Sequence, residues 1–443
     1  MTGSGHLQRH ASIQAYFSAH RSQRTSLHYL GYRPCSALCD EGVRGMVDSS
    51  LMQGRPGTAG LNVAVVANSS WYVLNFRANL IRSLQAAGHR VVTMASDDAH
   101  TSRLTTLAPE HCSIPFSGTG TNPLREARAV FALRRAFKRN GIDVVLSYTP
   151  KGNVYSAIAL AGMPARLVVN VSGLGRAFAS NGLLRATVEL LYRRTFSRAQ
   201  WVFFQNDEDR RYFVERKLVK ANSHSRLPGS GVDLAQFSPR SARNERDIER
   251  PVHFLLVSRM LWDKGIGEFV GAARLVRHSR PDVVFRLLGS IDAPSASAVP
   301  KSTIEQWQAE GCVEYLGSTD DVAACLSDAD CVVLPSTYRE GVPRCLLEAA
   351  AMAKPIITTD SVGCRDTVDE GASGYICRPK DTVHLADRML QFIALSHGER
   401  ERMGQLGRQK MERQFDERIV INMYLDLLDR WRPPTMDRRV LPE

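Results

Sequence analysis

The chain has 443 residues, 44% of them hydrophobic and 23% charged, with 57 Lys and Arg against 45 Asp and Glu and a formal net charge of +12. That length exceeds one ordinary core and predicts two domains with tails, and the composition excludes a fibrous or wholly disordered chain. The basic excess favours an anionic partner (phosphate, anionic lipid or nucleic acid) without choosing among them. Nine cysteines without regular spacing argue against a disulfide framework and for a reducing cytoplasm. Cys35 and Cys39 form the one close pair, and no His or Cys pair follows to complete a zinc site. No apolar run reaches the ~18 residues that span a bilayer, and the first residues lack the apolar stretch of a secretory signal. Any encounter with a membrane is therefore expected from its cytoplasmic side.

Residues 1–58 are rich in His, Arg, Ser and Gly without apolar periodicity, which predicts a weakly ordered leader. A strand–helix–strand rhythm begins at 61-LNVAVVAN-68, with a helix over roughly 75–87 and a second run at 90-RVVTMAS-96. It continues at 143-DVVLSY-148, 166-RLVVNVS-172 and 200-QWVFFQN-206. Gly, Pro and charge break the rhythm over 229–247, which reads as a linker. A second series follows at 253-HFLLVS-258, 283-VVFRLLG-289, 312-CVEYLG-317, 331-CVVLPS-336 and 355-PIITTD-360, with helices over 264–278 and 343–353. Short β-branched runs alternating with helices predict an α/β chain of two doubly wound, Rossmann-like domains facing across a cleft. The expected domains are 59–238 and 239–415, with a C-terminal helix and tail over 416–443 packing back on the first. Ligands in such sheets sit beyond the carboxyl ends of the strands.

Three candidate features follow strands of the second series. Arg259 and Lys264 flank a turn in 258-SRMLWDKG-265; an Arg fork and a Lys point charge can stabilise a nucleotide diphosphate leaving group, or be two solvated cations. Glu340 and Glu348 are eight positions apart in 335-PSTYREGVPRCLLEA-349. Gly341 permits an unusual backbone angle, Pro343 suits a first helical turn, and the helix N-terminus offers N–H groups to a phosphate. Glu348, beside the apolar Leu346 and Leu347, can accept hydrogen bonds from both ribose hydroxyls, and Glu340 from a transferred sugar; two helix-surface acids is the alternative. The glycine-punctuated stretch 363–379 reads as a wall of the same pocket. The Asp328-Ala329-Asp330 string precedes its strand and so falls at the wrong end of the sheet for a metal.

These residues resemble glycosyltransferase family 4, retaining enzymes of the GT-B fold, and the resemblance runs from Leu61 to Arg432. Its most specific element is the E-x7-E motif, Glu340 to Glu348, supported by the R-x4-K element, Arg259 to Lys264. The resemblance implies that Arg259 and Lys264 hold a diphosphate, Glu348 the ribose and Glu340 the sugar. It places backbone from Gly341 through Val342 and Pro343 to Leu346 and Leu347 against the phosphates, and implies transfer with retention and neither metal nor cofactor. In the first half Asn68, Trp71, Asn75, Phe76 and Arg77 form an N-x-x-W-x-x-x-N-F-R pattern, joined by 148-YTPKGNVY-155 and 172-SGLGRAF-178. That set is similar to a subgroup acting on polyprenyl-diphosphate-linked saccharides in bacterial surface-glycan assembly, mostly with UDP-linked hexoses or N-acetylhexosamines. The histidine many members carry near 148–151 is missing; Lys151 and Asn153 are candidates for its task, or simply cap the next helix. Gly173 and Gly175 are expected to line the cleft.

Residues 122–141 set Arg125, Arg128, Arg134, Arg135, Lys138 and Arg139 against a lone Glu126, with Val130, Phe131, Leu133 and Phe137 as an apolar stripe. Residues 183–198 repeat the theme with Arg185, Arg193, Arg194 and Arg198. Basic amphipathic helices can rest on anionic lipid, which would put the protein at the cytoplasmic face of the inner membrane; packing on their own sheet is the alternative. Two rival functions are a GT-B-fold nucleotide-sugar epimerase and a basic nucleic-acid-binding protein. The former is disfavoured by the E-x7-E setting, the latter by the lack of a recognisable nucleic-acid module.

Overall fold

The computed structural model describes residues 60–116, 122–173, 183–239, 250–291 and 295–432, all within one compact unit spanning Met52–Glu443. The leader, Gly175 and the last part of the linker, from residue 240, lie outside the described residues. The first half runs β1 (Asn62–Val66), α1 (Ser70–Ala86), β2 (Arg90–Ala95), α2 (Thr101–Leu107), β3 (His111–Ser113), α3 (Pro123–Arg139), β4 (Val144–Ser147), α4 (Pro150–Ala159), β5 (Arg166–Val171), α5 (Leu183–Phe196), β6 (Trp201–Phe204), α6 (Asp207–Glu215) and β7 (His224–Arg226). Its seven strands are all parallel in the order β3-β2-β1-β4-β5-β6-β7. The second half runs β8 (His253–Val257), α7 (Ile266–Ser279), β9 (Val284–Leu288), α8 (Lys301–Ala309), β10 (Glu314–Tyr315), α9 (Val322–Asp328), β11 (Cys331–Leu334), α10 (Arg344–Ala351), β12 (Ile356–Thr359), β13 (Gly374–Cys377), α11 (Thr382–Ile393), α12 (His397–Lys410) and α13 (Glu417–Asp429). Its parallel order is β10-β9-β8-β11-β12-β13. Both sheets are doubly wound, as the alternating runs predict.

Three elements differ from the sequence reading. Helix α1 starts five residues before the expected 75, because extended Ser69 caps it by accepting the Tyr72 N–H at 3.2 Å. The N-x-x-W-x-x-x-N-F-R pattern therefore lies mostly on a helix. β13 falls inside the stretch read as a loop wall; Gly374 opens it because a Cβ there would strike the Ile356 carbonyl. In α3 the buried residues are Ala129, Leu133, Ala136 and Phe137, while Phe131 turns outward. At 100° per residue Phe131 and Leu133 fall on nearly opposite sides, so the apolar stripe read from sequence divides.

Helix α13 crosses back to the first half. Val420, Ile421, Tyr424, Leu427 and Leu428 join Leu61, Val63, Leu80, Ile81, Leu84 and Tyr148 in one buried cluster. The Tyr424 hydroxyl accepts from Asn170 Nδ2 at 3.0 Å. The two places where the chain passes between halves hydrogen-bond to each other: Val232 N–H to the Phe415 carbonyl at 2.8 Å and Glu417 N–H to the Val232 carbonyl at 3.1 Å. Tyr424→Ala should cost about 3–5 kcal/mol through the cavity it leaves, whereas Tyr424→Phe, which loses one hydrogen bond, should cost about 1 kcal/mol. Urea unfolding midpoints of the two variants check the ranking.

Candidate functional site

The carboxyl ends of the two sheets meet at one turn. Residues 335–343 leave β11 and enter α10, and Gly341 lies against the first half: a Cβ on it would sit 2.7 Å from the Ser172 carbonyl and strike Gln205 Oε1. Gly173, at φ 107°, approaches so closely that a Cβ would lie 2.6 Å from the Gly341 amide nitrogen. Gly363 packs on the Gly341 carbonyl as well. Only glycine allows three backbones to approach in this way.

Lys264 and Glu340 form an ion pair on this turn, their side chains only 16% and 12% exposed. Lys264 closes a short 3-10 turn, Trp262–Lys264, followed by Gly265 at φ 78° beneath the Pro335 carbonyl. The Thr337 N–H donates to the Asp263 carbonyl at 3.0 Å, and Ser336 Oγ donates to Glu340 Oε1 at 3.1 Å. The turn after β8 and the loop after β11 are thus knitted together. Burial pushes the Lys264 ammonium toward deprotonation, but the Glu340 charge and hydrogen bond reverse this, leaving it above its ordinary value. Glu348 lies 13% exposed under Arg344, whose Nε donates to Glu348 Oε1 at 2.8 Å. Burial raises the Glu348 carboxyl and Arg344 lowers it, with a net upward shift. Desolvation pushes the thiol of part-buried Cys345 up, with Glu348 and Glu340 adding to the rise and Lys264 opposing it. Arg259 follows β8 as an exposed side chain, and the described residues give it no ion pair or side-chain hydrogen bond.

Other expected residues divide. Val342 is buried against Gly229, and Pro343 is the cap residue of α10 rather than its first helical residue. Leu346 and Leu347 are fully buried, and their N–H groups point to the Pro343 carbonyl at 3.1 and 3.3 Å. Their side chains belong to the core under the site. Asn75 and Phe76 do reach the site: Arg344 Nη1 donates to the Asn75 carbonyl at 2.6 Å, and its guanidinium carbon lies 5.1 Å from the centre of the Phe76 ring. Asn68 and Trp71 are exposed at the start of α1, the Trp71 ring edge-on to Phe76. Arg77 is instead buried, with its guanidinium carbon 4.1 Å from the Tyr148 ring centre and no carboxylate partner among the described residues. Lys151 pairs with Glu126 at 2.8 Å, and buried Asn153 donates to the Asn170 carbonyl at 2.9 Å. Neither side chain supplies an open group in place of the missing histidine. Arg134 donates to the carbonyls of Ala159 and Ala161 at the end of α4, which removes it from the free basic face.

Sequence reasoning missed Arg344, although its i,i+4 spacing to Glu348 is a usable signal. It also missed Arg339 and Asp209, an ion pair across 130 positions with no local signature. The Asp328–Asp330 string sits at the amino end of β11, with Asp330 accepting from His253 N–H at 2.8 Å and Asp328 paired with Arg286. Among the described residues no group of three or more His, Cys, Asp or Glu is arranged to hold a metal ion.

Two parallel α/β halves whose carboxyl ends close over paired cations and carboxylates define a GT-B glycosyltransferase. Residues 251–394 match the family described as glycosyl transferases group 1, and residues 75–229 match the glycosyl transferase 4-like domain. Among curated relatives, the N,N'-diacetylbacillosaminyl-diphospho-undecaprenol alpha-1,3-N-acetylgalactosaminyltransferase of Campylobacter jejuni is 26% identical, over 84% of this chain and 99% of its own. The capsular polysaccharide biosynthesis glycosyltransferase CapM of Staphylococcus aureus is 25% identical, over 62% of this chain and 74% of its own. Among solved structures, a glycosyltransferase of Rickettsia africae superposes with a TM-score of 0.67 at 17% identity, over 84% and 98% of the two chains. HepE of Anabaena in complex with UDP gives 0.66 at 16%, over 84% and 100%. The chain belongs to glycosyltransferase family 4. That membership sets aside the epimerase and nucleic-acid alternatives.

The raised Glu348 carboxyl is directly measurable. It should titrate above the ordinary glutamate value of about 4.3, and Arg344→Gln should move it higher still. Because the folded state holds this proton to higher pH than the unfolded chain, the stability it contributes is full in acid and lost as pH rises through the folded pKa. Carboxyl carbon NMR, with Glu348→Gln to assign the signal, checks this; a midpoint at or below the ordinary value overturns it.

Proposed function

We propose that this enzyme moves a hexose or N-acetylhexosamine, with retention at the anomeric carbon, from a UDP-linked donor to a polyprenyl-diphosphate-linked saccharide. The observation that carries the reading is the Lys264–Glu340 pair, held out of water where the second sheet's carboxyl ends meet the first half. Lys264, with Arg259 and the amino end of α10, offers positive charge to a diphosphate as it becomes a leaving group, in place of a divalent cation. Glu348, already ionically oriented by Arg344, offers its second oxygen to ribose hydroxyls. Glu340 takes sugar hydroxyls on the side away from Lys264. The acceptor hydroxyl oxygen bonds to the anomeric carbon on the face the diphosphate leaves. The carbon–oxygen bond to phosphate breaks as the hydroxyl proton passes to the departing phosphate oxygen. The C. jejuni relative's undecaprenol-linked acceptor and the UDP bound by HepE support the two substrate classes.

The acceptor class implies work at a membrane surface. Among the described residues no helix is long and apolar enough to cross one. Helix α3 instead turns a face outward on which Leu124 and Phe131, 78% and 73% exposed, stand among exposed Arg128, Arg135, Lys138 and Arg139. At 100° per residue these six lie within one side of the helix. Large apolar side chains ringed by cations suit an anionic bilayer face, the former entering the headgroup region and the latter pairing with phosphates. Arg193 and Arg194 of α5, beside exposed Leu190 and Leu191, extend the same character. The enzyme is placed by this reading at the cytoplasmic face of the inner membrane.

With UDP-sugars and a polyprenyl-diphosphate saccharide, Glu340→Gln and Lys264→Ala should each lower kcat by about 100-fold or more in folded protein. Turnover within threefold of the parent in Glu340→Gln would remove Glu340 from the site. In vesicle co-sedimentation, Leu124→Glu with Phe131→Glu should lower binding to anionic vesicles by about tenfold or more. Binding should also fall with salt; unchanged binding by the double variant overturns the membrane face.

A further inference from the structure

Three consecutive residues of the turn after β11 are held by the first half, and of these Glu340 alone turns its side chain back into the second half. Arg339 Nε donates to Asp209 Oδ1 at 2.8 Å. The Glu340 carbonyl accepts from Asn206 Nδ2 at 3.4 Å. Gly341 is fitted against Gln205 and Ser172. Asp209 is fully buried, whereas Arg339 is 32% exposed. A buried carboxylate is costly unless its lone pairs are filled, and here each oxygen has a partner. Oδ1 takes Arg339, and Oδ2 accepts from Asn206 Nδ2 at 3.1 Å. The Asp209 N–H donates to Asn206 Oδ1 at 2.7 Å, so Asn206 caps α6 and Asp209 sits at the third helical position. The same small unit thus caps a helix of the first half and grips a loop of the second. Glu340 has its side chain turned the other way, into Lys264 and Ser336. Its backbone is held from one half and its carboxylate from the other.

We propose that Asp209 and Asn206 are positioning residues for Glu340, acting through Arg339: the sugar-binding carboxylate is aimed only when the first half grips the loop. The elements assigned to diphosphate and ribose, the Trp262–Lys264 turn and α10, lie in the second half and are not held by Asp209 or Asn206; Arg344 alone reaches across from α10, to Asn75 and Phe76. Nucleotide binding and sugar alignment are therefore separable, and alignment is coupled to closure of the two halves. Neighbouring Glu208 and Arg365 pair across the same seam at 3.0 Å, but both are substantially exposed and contribute little by comparison. This inference rests on the proposed role of Glu340.

The test uses the full chain with Asp209→Asn, Arg339→Gln, the double variant and Arg339→Lys. Each of the first two should lower kcat at saturating donor by about 10- to 100-fold, as expected of a small displacement of a reacting group. UDP affinity by calorimetry should stay within about twofold. The double variant should be no slower than the worse single variant, because the two residues form one contact, and Arg339→Lys should retain more activity than Arg339→Gln. Parental kcat in Arg339→Gln, or losses that multiply in the double variant, overturns the proposal. So does a fall in UDP affinity that matches the fall in kcat. Should Asp209→Asn fail to fold, Arg339→Gln and Arg339→Lys carry the test, since Arg339 is part exposed. Glu340→Gln separates the readings: activity there removes the role of Glu340 itself, whereas an inactive Glu340→Gln beside a fully active Arg339→Gln removes only the positioning.

Discussion

Backbone meets backbone where Gly173 and Gly363 both close on Gly341. A methyl group at any of the three collides with main chain or with the Gln205 amide oxygen, and two of the three have positive φ, 107° and 79°. The constraint allows no side chain, so it brings the turn after β11 within hydrogen-bonding distance of the first sheet. Asn206 reaches the Glu340 carbonyl, Asp209 reaches Arg339, and Arg344 reaches Asn75 only because the glycines permit it. The site's polar architecture is downstream of three missing Cβ atoms.

Three cation–carboxylate pairs surround one short stretch of chain: Arg339 with Asp209, Lys264 with Glu340, and Arg344 with Glu348. Each acid is largely withdrawn from water, and each has a cation within contact, which compensates part of the cost of burying its charge. Two pairs lie within the second half and one spans the halves. The arrangement supplies fixed charge whose orientation is set before a substrate arrives, the condition under which electrostatic stabilisation is most effective.

Much of this was legible in the sequence where the physics is local. Strands buried on both faces read as continuous apolar runs, so 253-HFLLVS-258 and 331-CVVLPS-336 announce β8 and β11. Short strands such as His111–Ser113 and His224–Arg226 carry too few residues for any period to show. Arg259, Lys264, Glu340 and Glu348 were visible by type and spacing, and Arg344 could have been. Lys151 with Glu126, Arg339 with Asp209 and the burial of Arg77 under Tyr148 were not visible, since each depends on contacts between distant segments. The direction of Phe131 was ambiguous for another reason. An apolar residue between two helix faces can belong to either, and only the packed sheet decides.

Helix α13 lies at the far end of the chain from the core it completes. Leu61, Val63 and Tyr148, already packed with Leu80 and Leu84 of α1, share a cluster completed by Val420, Tyr424 and Leu428. A chain growing on the ribosome therefore makes its amino-terminal half first but cannot finish burying that half's second face until residues 417–429 have emerged. During that interval the nascent first half presents an apolar surface of the kind that recruits chaperones or promotes aggregation. The order of manufacture and the order of completion run in opposite directions.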